Sequence, residues 1–195
     1  MSSRISIIPG FTHKPTDRCY QWLGRYFRTR GFRVQMIRID WQRHVMSDYV
    51  AQFKQQYQKD QAEKNVVLGF SFGAMIALIS AGELRPDKLV LCSLSPYFRE
   101  DLKKMQATMS KHDASVIGRH RMEDFQQFSA LSCARQVVSP TVVFCGGREA
   151  KQYPLLLRRC KEAAQVIRNG RLVMASNAPH NIAFPTYVEA IKKEV

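Results

Sequence analysis

The feature that most constrains the fold is a repeated alternation between short apolar runs and amphipathic helical patterns. The segments between the runs carry apolar residues at intervals of three and four, which is the spacing of one face of a helix. The runs themselves are typical of β-strands, and in chain order they read RISIIPGF, FRVQMIRI, NVVLGF, DKLVLCSLS, TVVFCGG and RLVMAS. Such an alternation favours an α/β fold, a three-layer, doubly wound parallel sheet of about six strands.

The individual elements are expected to differ in burial. The third, fourth and fifth runs are nearly continuous, as expected for strands covered on both faces, whereas the second alternates apolar and polar residues, which indicates a position near the sheet edge. The first helix is expected to be capped by Thr16 at its start and by Gly31 at its end. The second is predicted over residues 47–60, and the last should carry Pro185 in its first turn.

The length and continuity of the chain predict one domain. Its 195 residues suffice for a sizeable core, and neither a Pro/Ser-rich linker nor an internal repeat divides residues 1–195. One insertion, at about residues 96–138, interrupts the alternation of strands and helices between the fourth and fifth strands. It holds two amphipathic helical patterns, one with Leu102, Met105 and Met109, the other with Met122, Phe125 and Phe128.

Composition narrows the location and the chemistry. No apolar run approaches the ~20 residues of a membrane helix, and the apolar patch at the N-terminus is too short for a signal peptide, so a cytoplasmic location is expected. The five cysteines are odd in number and form no Cys-x-x-Cys pair, which argues against a disulfide framework or a zinc site. The phosphate-binding patterns G-x-G-x-x-G and G-x-x-x-x-G-K-[ST] are absent, which disfavours nucleotide-dependent chemistry.

The chain is strongly basic, with a formal net charge of +14 and six arginines between positions 25 and 43. Such a field attracts anions, although a merely solvated basic surface has the same composition. No zinc-finger, RNP-type or recognition-helix pattern accompanies the charge. A specific nucleic-acid partner is therefore not expected, and an anionic lipid and a phosphorylated or carrier-bound substrate stay open as the anions that the charge could attract.

Candidate functional residues follow the predicted strands at the points where they end. Residues 9–11 (Pro-Gly-Phe) follow the first strand, Ser71 the third and Ser95 the fourth, while Glu149 follows the fifth and His180 the sixth. Ligands of open α/β sheets bind outside the carboxyl ends of the strands. A serine, a carboxylate and a histidine are thus expected at one edge of the sheet, in that chain order.

Ser71 lies in the sequence Gly69-Phe70-Ser71-Phe72-Gly73, which fits the pattern G-x-S-x-G. By itself the pattern also suits an ordinary turn serine. Here a predicted strand precedes it, a predicted helix follows it, and an acid and a histidine come later, so the sequence resembles the α/β-hydrolase superfamily, in which the motif is the nucleophile elbow. The resemblance implies parallel strands in the order 2-1-3-4-5-6, without the first two strands of the eight-stranded fold. It also places the 96–138 insertion where the family usually carries a lid.

The resemblance assigns roles to three residues. Ser71 is the expected nucleophile, His180 the expected base and Glu149 the expected orienting acid. The family commonly has an aspartate in the last role, so Asp101 and Glu100, just beyond the fourth strand, stay open as alternative acids. The other histidines lie in less suitable places: His13, His44, His112 and His120.

The backbone N–H groups of Phe72 and Phe11 are the expected oxyanion hole, with Gly10 allowing the first loop to approach the substrate. Apolar side chains of the elbow and the insertion are expected to line an acyl pocket, although ordinary core packing explains them equally well: Phe70, Met105 and Phe125.

These assignments predict a serine hydrolase, carboxylesterase- or thioesterase-like, that acts on an acyl ester or thioester and requires neither a metal nor a cofactor. The basic surface favours an anionic leaving group. An acyltransferase that uses the same acyl-enzyme is an alternative, and so is a non-catalytic binding protein of the same fold.

Overall fold

A computed structural model describes residues 3–57 and 64–195 of the chain. In these residues the alternating pattern forms a six-stranded sheet in the order β2-β1-β3-β4-β5-β6, with every neighbouring pair parallel. The strands are β1 (Ser3–Ile8), β2 (Phe32–Met36), β3 (Lys64–Phe70), β4 (Lys88–Cys92), β5 (Thr141–Gly146) and β6 (Gly170–Ala175). The predicted strand order is confirmed. The alternating strand β2 lies at an edge of the sheet, whereas β3, β4 and β5, the most continuous apolar runs, lie inside it.

Helices cover both faces of the sheet, as the doubly wound prediction required. One buried apolar cluster lies beneath α2, α3, α7 and α9, and a second beneath α1 and α10. The described helices are α1 (Arg18–Thr29), α2 (Met46–Gln56), α3 (Phe72–Leu84), α4 (Leu102–Thr108), α5 (Lys111–Ile117), α6 (Arg119–Asp124), α7 (Ala130–Gln136), α8 (Gly147–Gln152), α9 (Pro154–Val166) and α10 (Pro185–Glu194). A short 3-10 turn, Phe125–Gln127, follows α6.

The predicted helix ends are partly correct. Thr16 is not the cap of α1, because the chain turns between residues 14 and 17 and Asp17 takes the capping position with an extended backbone. Gly31 follows the helix with a φ of 82°, a conformation that glycine adopts without strain, and Pro185 begins α10. The second helix ends at Gln56, and residues 58–60 of its predicted range lie outside the described residues.

The insertion between β4 and β5 contains α4 to α7. Of these, α7 packs against α3 and α9 and so belongs to the helical layer of the sheet. On α4 only Leu102 is buried, whereas the second predicted pattern contributes the fully buried Phe125. Asp124 at the end of α6 accepts hydrogen bonds from the N–H (2.9 Å) and the hydroxyl (2.5 Å) of Ser47. These bonds connect α6 to the start of α2. That residues 96–138 act as a lid stays a prediction.

None of the described helices is long and apolar enough to cross a membrane. The cytoplasmic location stays a prediction.

Candidate active site

Ser71 lies between β3 and α3 in a strained backbone conformation, with φ 57° and ψ −115°. A positive φ at a residue with a side chain typically costs about 1–3 kcal/mol and persists only where the surroundings enforce it. Here the flanking glycines permit the turn. A Cβ on Gly69 would lie 2.1 Å from the carbonyl oxygen of Gly73, and a Cβ on Gly73 would lie 2.3 Å from that of Ile8. The two glycines of the motif are therefore steric requirements of the bend.

The structure brings Ser71, His180 and Glu149 together. The distance from Nε2 of His180 to Oγ of Ser71 is 3.1 Å, and Nδ1 of His180 is hydrogen-bonded to the carboxylate of Glu149. Glu149 is fully buried, Ser71 is 8% exposed, and the side chain of His180 is 33% exposed. An ionised carboxylate only accepts hydrogen bonds, so with Glu149 in that form the imidazole proton would lie on Nδ1 and Nε2 would face the serine as an acceptor.

Glu149 is held by donors other than the histidine. Its Oε2 atom accepts hydrogen bonds from the hydroxyl of Ser93 (2.9 Å) and from the N–H of Gly146 (2.8 Å). The hydroxyl of Tyr187, on α10, lies 2.9 Å from that of Ser93. A buried carboxyl group is costly unless its oxygens are hydrogen-bonded, and these contacts supply two such bonds to Oε2.

The alternative acids have other partners. Asp101 is fully buried and is bound by Arg158 and by Arg159, whose Nε lies 2.7 Å from its Oδ2 atom. Glu100 accepts a hydrogen bond from Ser129 and from two backbone N–H groups of α7. Desolvation raises the pKa of Glu100, but these hydrogen bonds outweigh it and hold that pKa below its usual value. Among the described contacts of His180, the carboxylate partner is Glu149.

The first loop lies close to Ser71, and the oxyanion hole itself stays a prediction. A Cβ on Gly10 would lie 3.4 Å from the Cβ of Ser71, and the N–H of Gly10 donates to the Tyr20 hydroxyl at 2.9 Å, which fixes the loop. Phe72 is the first residue of α3, and its ring lies 4.8 Å from that of Phe11. In the described part of the chain, the N–H groups of these two phenylalanines have no protein acceptor.

The predicted pocket residues occupy three different environments. Phe70 is buried and its ring lies 4.9 Å from that of His180, so it packs against the imidazole. Phe125 is buried too, and its ring lies 5.8 Å from that of Phe72. Met105 is partly exposed on α4 and lies outside both buried clusters. The apolar wall beside the elbow is thus aromatic and includes Phe125, and the structure does not bring Met105 into it.

Three side chains at the site had no role assigned from the sequence. Ser95, assigned to this edge of the sheet without a role, has its Oγ atom 3.0 Å from that of Ser71, and Ser93 contacts Glu149 as described above. His13 was considered less suitable than His180 as the base. Its Nδ1 atom lies 3.0 Å from the hydroxyl oxygen of Tyr20. Burial lowers the pKa of His13; Asp17 opposes this shift and His180 adds to it. The sequence indicates that Ser93 and Ser95 follow the fourth strand. Their contacts with Glu149 and Ser71 depend on tertiary packing, which the sequence pattern does not give.

Among the described residues, no group of three or more His, Cys, Asp or Glu side chains is arranged to hold a metal ion. None of the five cysteines forms a disulfide bond.

Comparison with known proteins gives a likeness of fold. No protein-family model matches the chain, and no curated protein matches it in sequence. Est1E from Butyrivibrio proteoclasticus superposes with a TM-score of 0.77 at 15% identity, over 98% of this chain and 85% of that one. MGS-MChE2, an α/β hydrolase enzyme from the metagenome of lagoon sediments at Mar Chica, Morocco, gives 0.72 at 14% identity, over 99% and 90%. The chain has the α/β-hydrolase fold.

A third solved structure with this fold aligns with the full length of the chain. Alpha/beta hydrolase domain-containing protein 10 from mouse covers 100% of this chain and 89% of its own, with a TM-score of 0.67 at 10% identity. The predicted resemblance to the superfamily is confirmed at the level of fold. At such identities the chemistry has to be argued from the side chains of this α/β-hydrolase-fold protein itself.

Proposed function

We propose that the protein is a serine hydrolase that cleaves a carboxylic ester or thioester through an acyl-enzyme on Ser71. The observation that carries the proposal is the continuous hydrogen-bond path from Ser71 through His180 to the buried Glu149. A serine hydroxyl is a weak nucleophile unless an adjacent base takes its proton, and the base acts only in the correct tautomer. The likeness to an α/β hydrolase enzyme, and to Est1E, which has been solved with ferulic acid bound, supports the same class of reaction.

Acylation follows from the proposed roles. Oγ of Ser71 attacks the acyl carbonyl carbon while its proton moves to Nε2 of His180, and the carboxylate of Glu149 stabilises the imidazolium that forms. The N–H groups of Phe72 and Phe11 donate to the carbonyl oxygen as it becomes an oxyanion; a donor of this kind is worth about 100- to 1000-fold in rate. When the tetrahedral intermediate collapses, His180 returns the proton to the departing alcohol or thiol.

Deacylation repeats these steps with water. His180 takes a proton from a water molecule that attacks the acyl-enzyme, and the same two N–H groups stabilise the second oxyanion. Breakdown of this intermediate breaks the bond between the acyl carbon and Oγ, returns the proton to Ser71 and releases a carboxylic acid.

A fluorophosphonate probe tests the proposal, because it reacts covalently with an activated serine. The wild-type protein should be labelled, and Ser71→Ala should lose the label completely while keeping its thermal stability. Ser80→Ala is the matched control: Ser80 is a fully buried serine of α3 whose hydroxyl donates to the Ile76 carbonyl (2.8 Å). It should be labelled as the wild type is.

Absence of label on wild-type protein, beside a serine hydrolase that is labelled in the same tube, would contradict the proposal and favour a non-catalytic binding protein. A p-nitrophenyl ester series of increasing acyl length, run against matching thioesters, then gives the preferred acyl group.

A further inference from the structure

We propose that Ser95 is an additional catalytic residue, whose hydroxyl donates a hydrogen bond to the reacting Oγ atom of Ser71. This inference rests on the proposed hydrolase function. The two Oγ atoms lie 3.0 Å apart, and Ser95 is 4% exposed, so water competes little for either hydroxyl. Ser71 thus has two polar contacts at Oγ, one with the base and one with a second serine.

The direction of the bond follows from counting protons. In the proposed mechanism Glu149 acts as a carboxylate, whose Oε2 atom accepts from Ser93 and from Gly146, and Nδ1 of His180 then carries the imidazole proton. Nε2 is therefore an acceptor, and the single proton of the Ser71 hydroxyl is directed to it. Only the lone pairs of Oγ remain to face Ser95. With this tautomer the hydroxyl of Ser95 is the donor, and the bonds run in one direction, from Ser95 through Ser71 and His180 to Glu149.

A donor at this position assists the chemistry because of where charge develops. Oγ gains negative charge as it loses its proton to His180, and hydrogen bonds to a charged acceptor are shorter and stronger than neutral ones. In deacylation Oγ is the leaving atom and gains negative charge again. The bond from Ser95 therefore strengthens in both half-reactions. Ser95 keeps its proton throughout, and no covalent bond to it forms or breaks.

Backbone hydrogen bonds fix the segment that leads to Ser95 beside the elbow. The N–H of Ser71 donates to the carbonyl of Cys92 (2.8 Å), and the N–H of Ser93 donates to that of Phe144 on β5 (2.8 Å). Ser93 has a φ of 53°, a turned conformation like that of Ser71, and Leu94 is completely buried. The short segment after β4 is thus anchored on both sides, and it supplies one hydroxyl to the acid and another to the nucleophile.

The test compares Ser95→Ala, which removes the donor, with Ser95→Cys, which keeps a weak donor of similar size. The second-order rate constant for fluorophosphonate labelling should fall about 10- to 100-fold in Ser95→Ala, with Ser95→Cys between the alanine variant and the wild type. With p-nitrophenyl acetate, kcat should fall while KM changes little, because the lost bond is made to Ser71 and not to substrate. Ser80→Ala serves as the control for loss of a buried hydroxyl.

The outcomes separate this inference from the proposed function. Labelling of wild type with less than about a fivefold loss in Ser95→Ala would overturn the role of Ser95 and leave the hydrolase proposal standing. Failure of wild type to label would overturn both. If Ser95→Ala does not fold, the measurement on Ser95→Cys at equal thermal stability decides. A loss of less than about threefold in the rate constant would overturn the role of Ser95, and a larger loss would support it.

Discussion

At the scale of single residues, Glu149 is the member of the proposed triad that departs from the pattern common in the family. Glutamate is one methylene longer than the aspartate common in the family, and its backbone is bonded to the loop that carries His180. The N–H of Glu149 donates to the carbonyl of Ala178 (3.0 Å), two residues before His180, so the start of α8 and the histidine loop are bonded to each other. A Cβ on Gly146 would lie 2.4 Å from that same carbonyl oxygen, which explains a glycine there.

We expect Glu149→Gln to lower kcat/KM about 10³- to 10⁴-fold, because an amide can donate to the imidazole and so favours the wrong tautomer. The measurement is hydrolysis of p-nitrophenyl acetate by protein shown to be folded. Asp101→Asn is the matched control. It breaks a buried ion pair with Arg159 and should cost about 3–5 kcal/mol of stability, but the folded fraction should keep its turnover. The reverse pattern would make Asp101 the acid.

At the scale of elements, the elbow depends on close backbone contact between β3, α3 and the loop after β1. We expect Gly73→Ala to destabilise the protein by about 2–4 kcal/mol in urea unfolding, because the new Cβ would lie 2.3 Å from the Ile8 oxygen and 2.5 Å from the Pro9 oxygen. Gly24→Ala, in the middle of α1, is the control. Its Cβ would meet no atom closer than 3.4 Å, so it should be neutral or stabilising by up to about 1 kcal/mol. Equal losses in the two variants would contradict this account of the elbow.

Elements and strand order could be predicted because their signals are local and repeated. Continuous apolar runs mark β3, β4 and β5, and the connection rules of α/β folds restrict their order. Helix α8 has six residues, too few to show a 3.6-residue period. The sequence therefore indicated Glu149 as a candidate residue but did not predict the helix that carries it. Thr16 and Asp17 are adjacent residues that both suit a helix cap, and only the turn before the helix distinguishes them. The contact between Ser95 and Ser71 joins the ends of two strands, and no spacing along the chain encodes it.

At the scale of the whole molecule, the net charge of +14 should affect encounter with substrate. The six arginines between positions 25 and 43 all have exposed side chains. We expect kcat/KM for an anionic ester, p-nitrophenyl succinate, to fall several-fold between about 10 mM and about 300 mM NaCl, because salt screens long-range attraction. The neutral p-nitrophenyl acetate should change little. An identical salt dependence for both esters would show that the charge has no part in substrate capture.

The separation of Ser71 and His180 by 109 positions has a consequence for biosynthesis. The ribosome releases the elbow long before the imidazole, and before Tyr187, whose hydroxyl contacts Ser93 beside the acid. During that interval the emerging polypeptide has its hydroxyl but no base to activate it. The proposed reactivity therefore requires that the segment from β6 to α10 has docked, and we expect an incomplete chain not to be acylated.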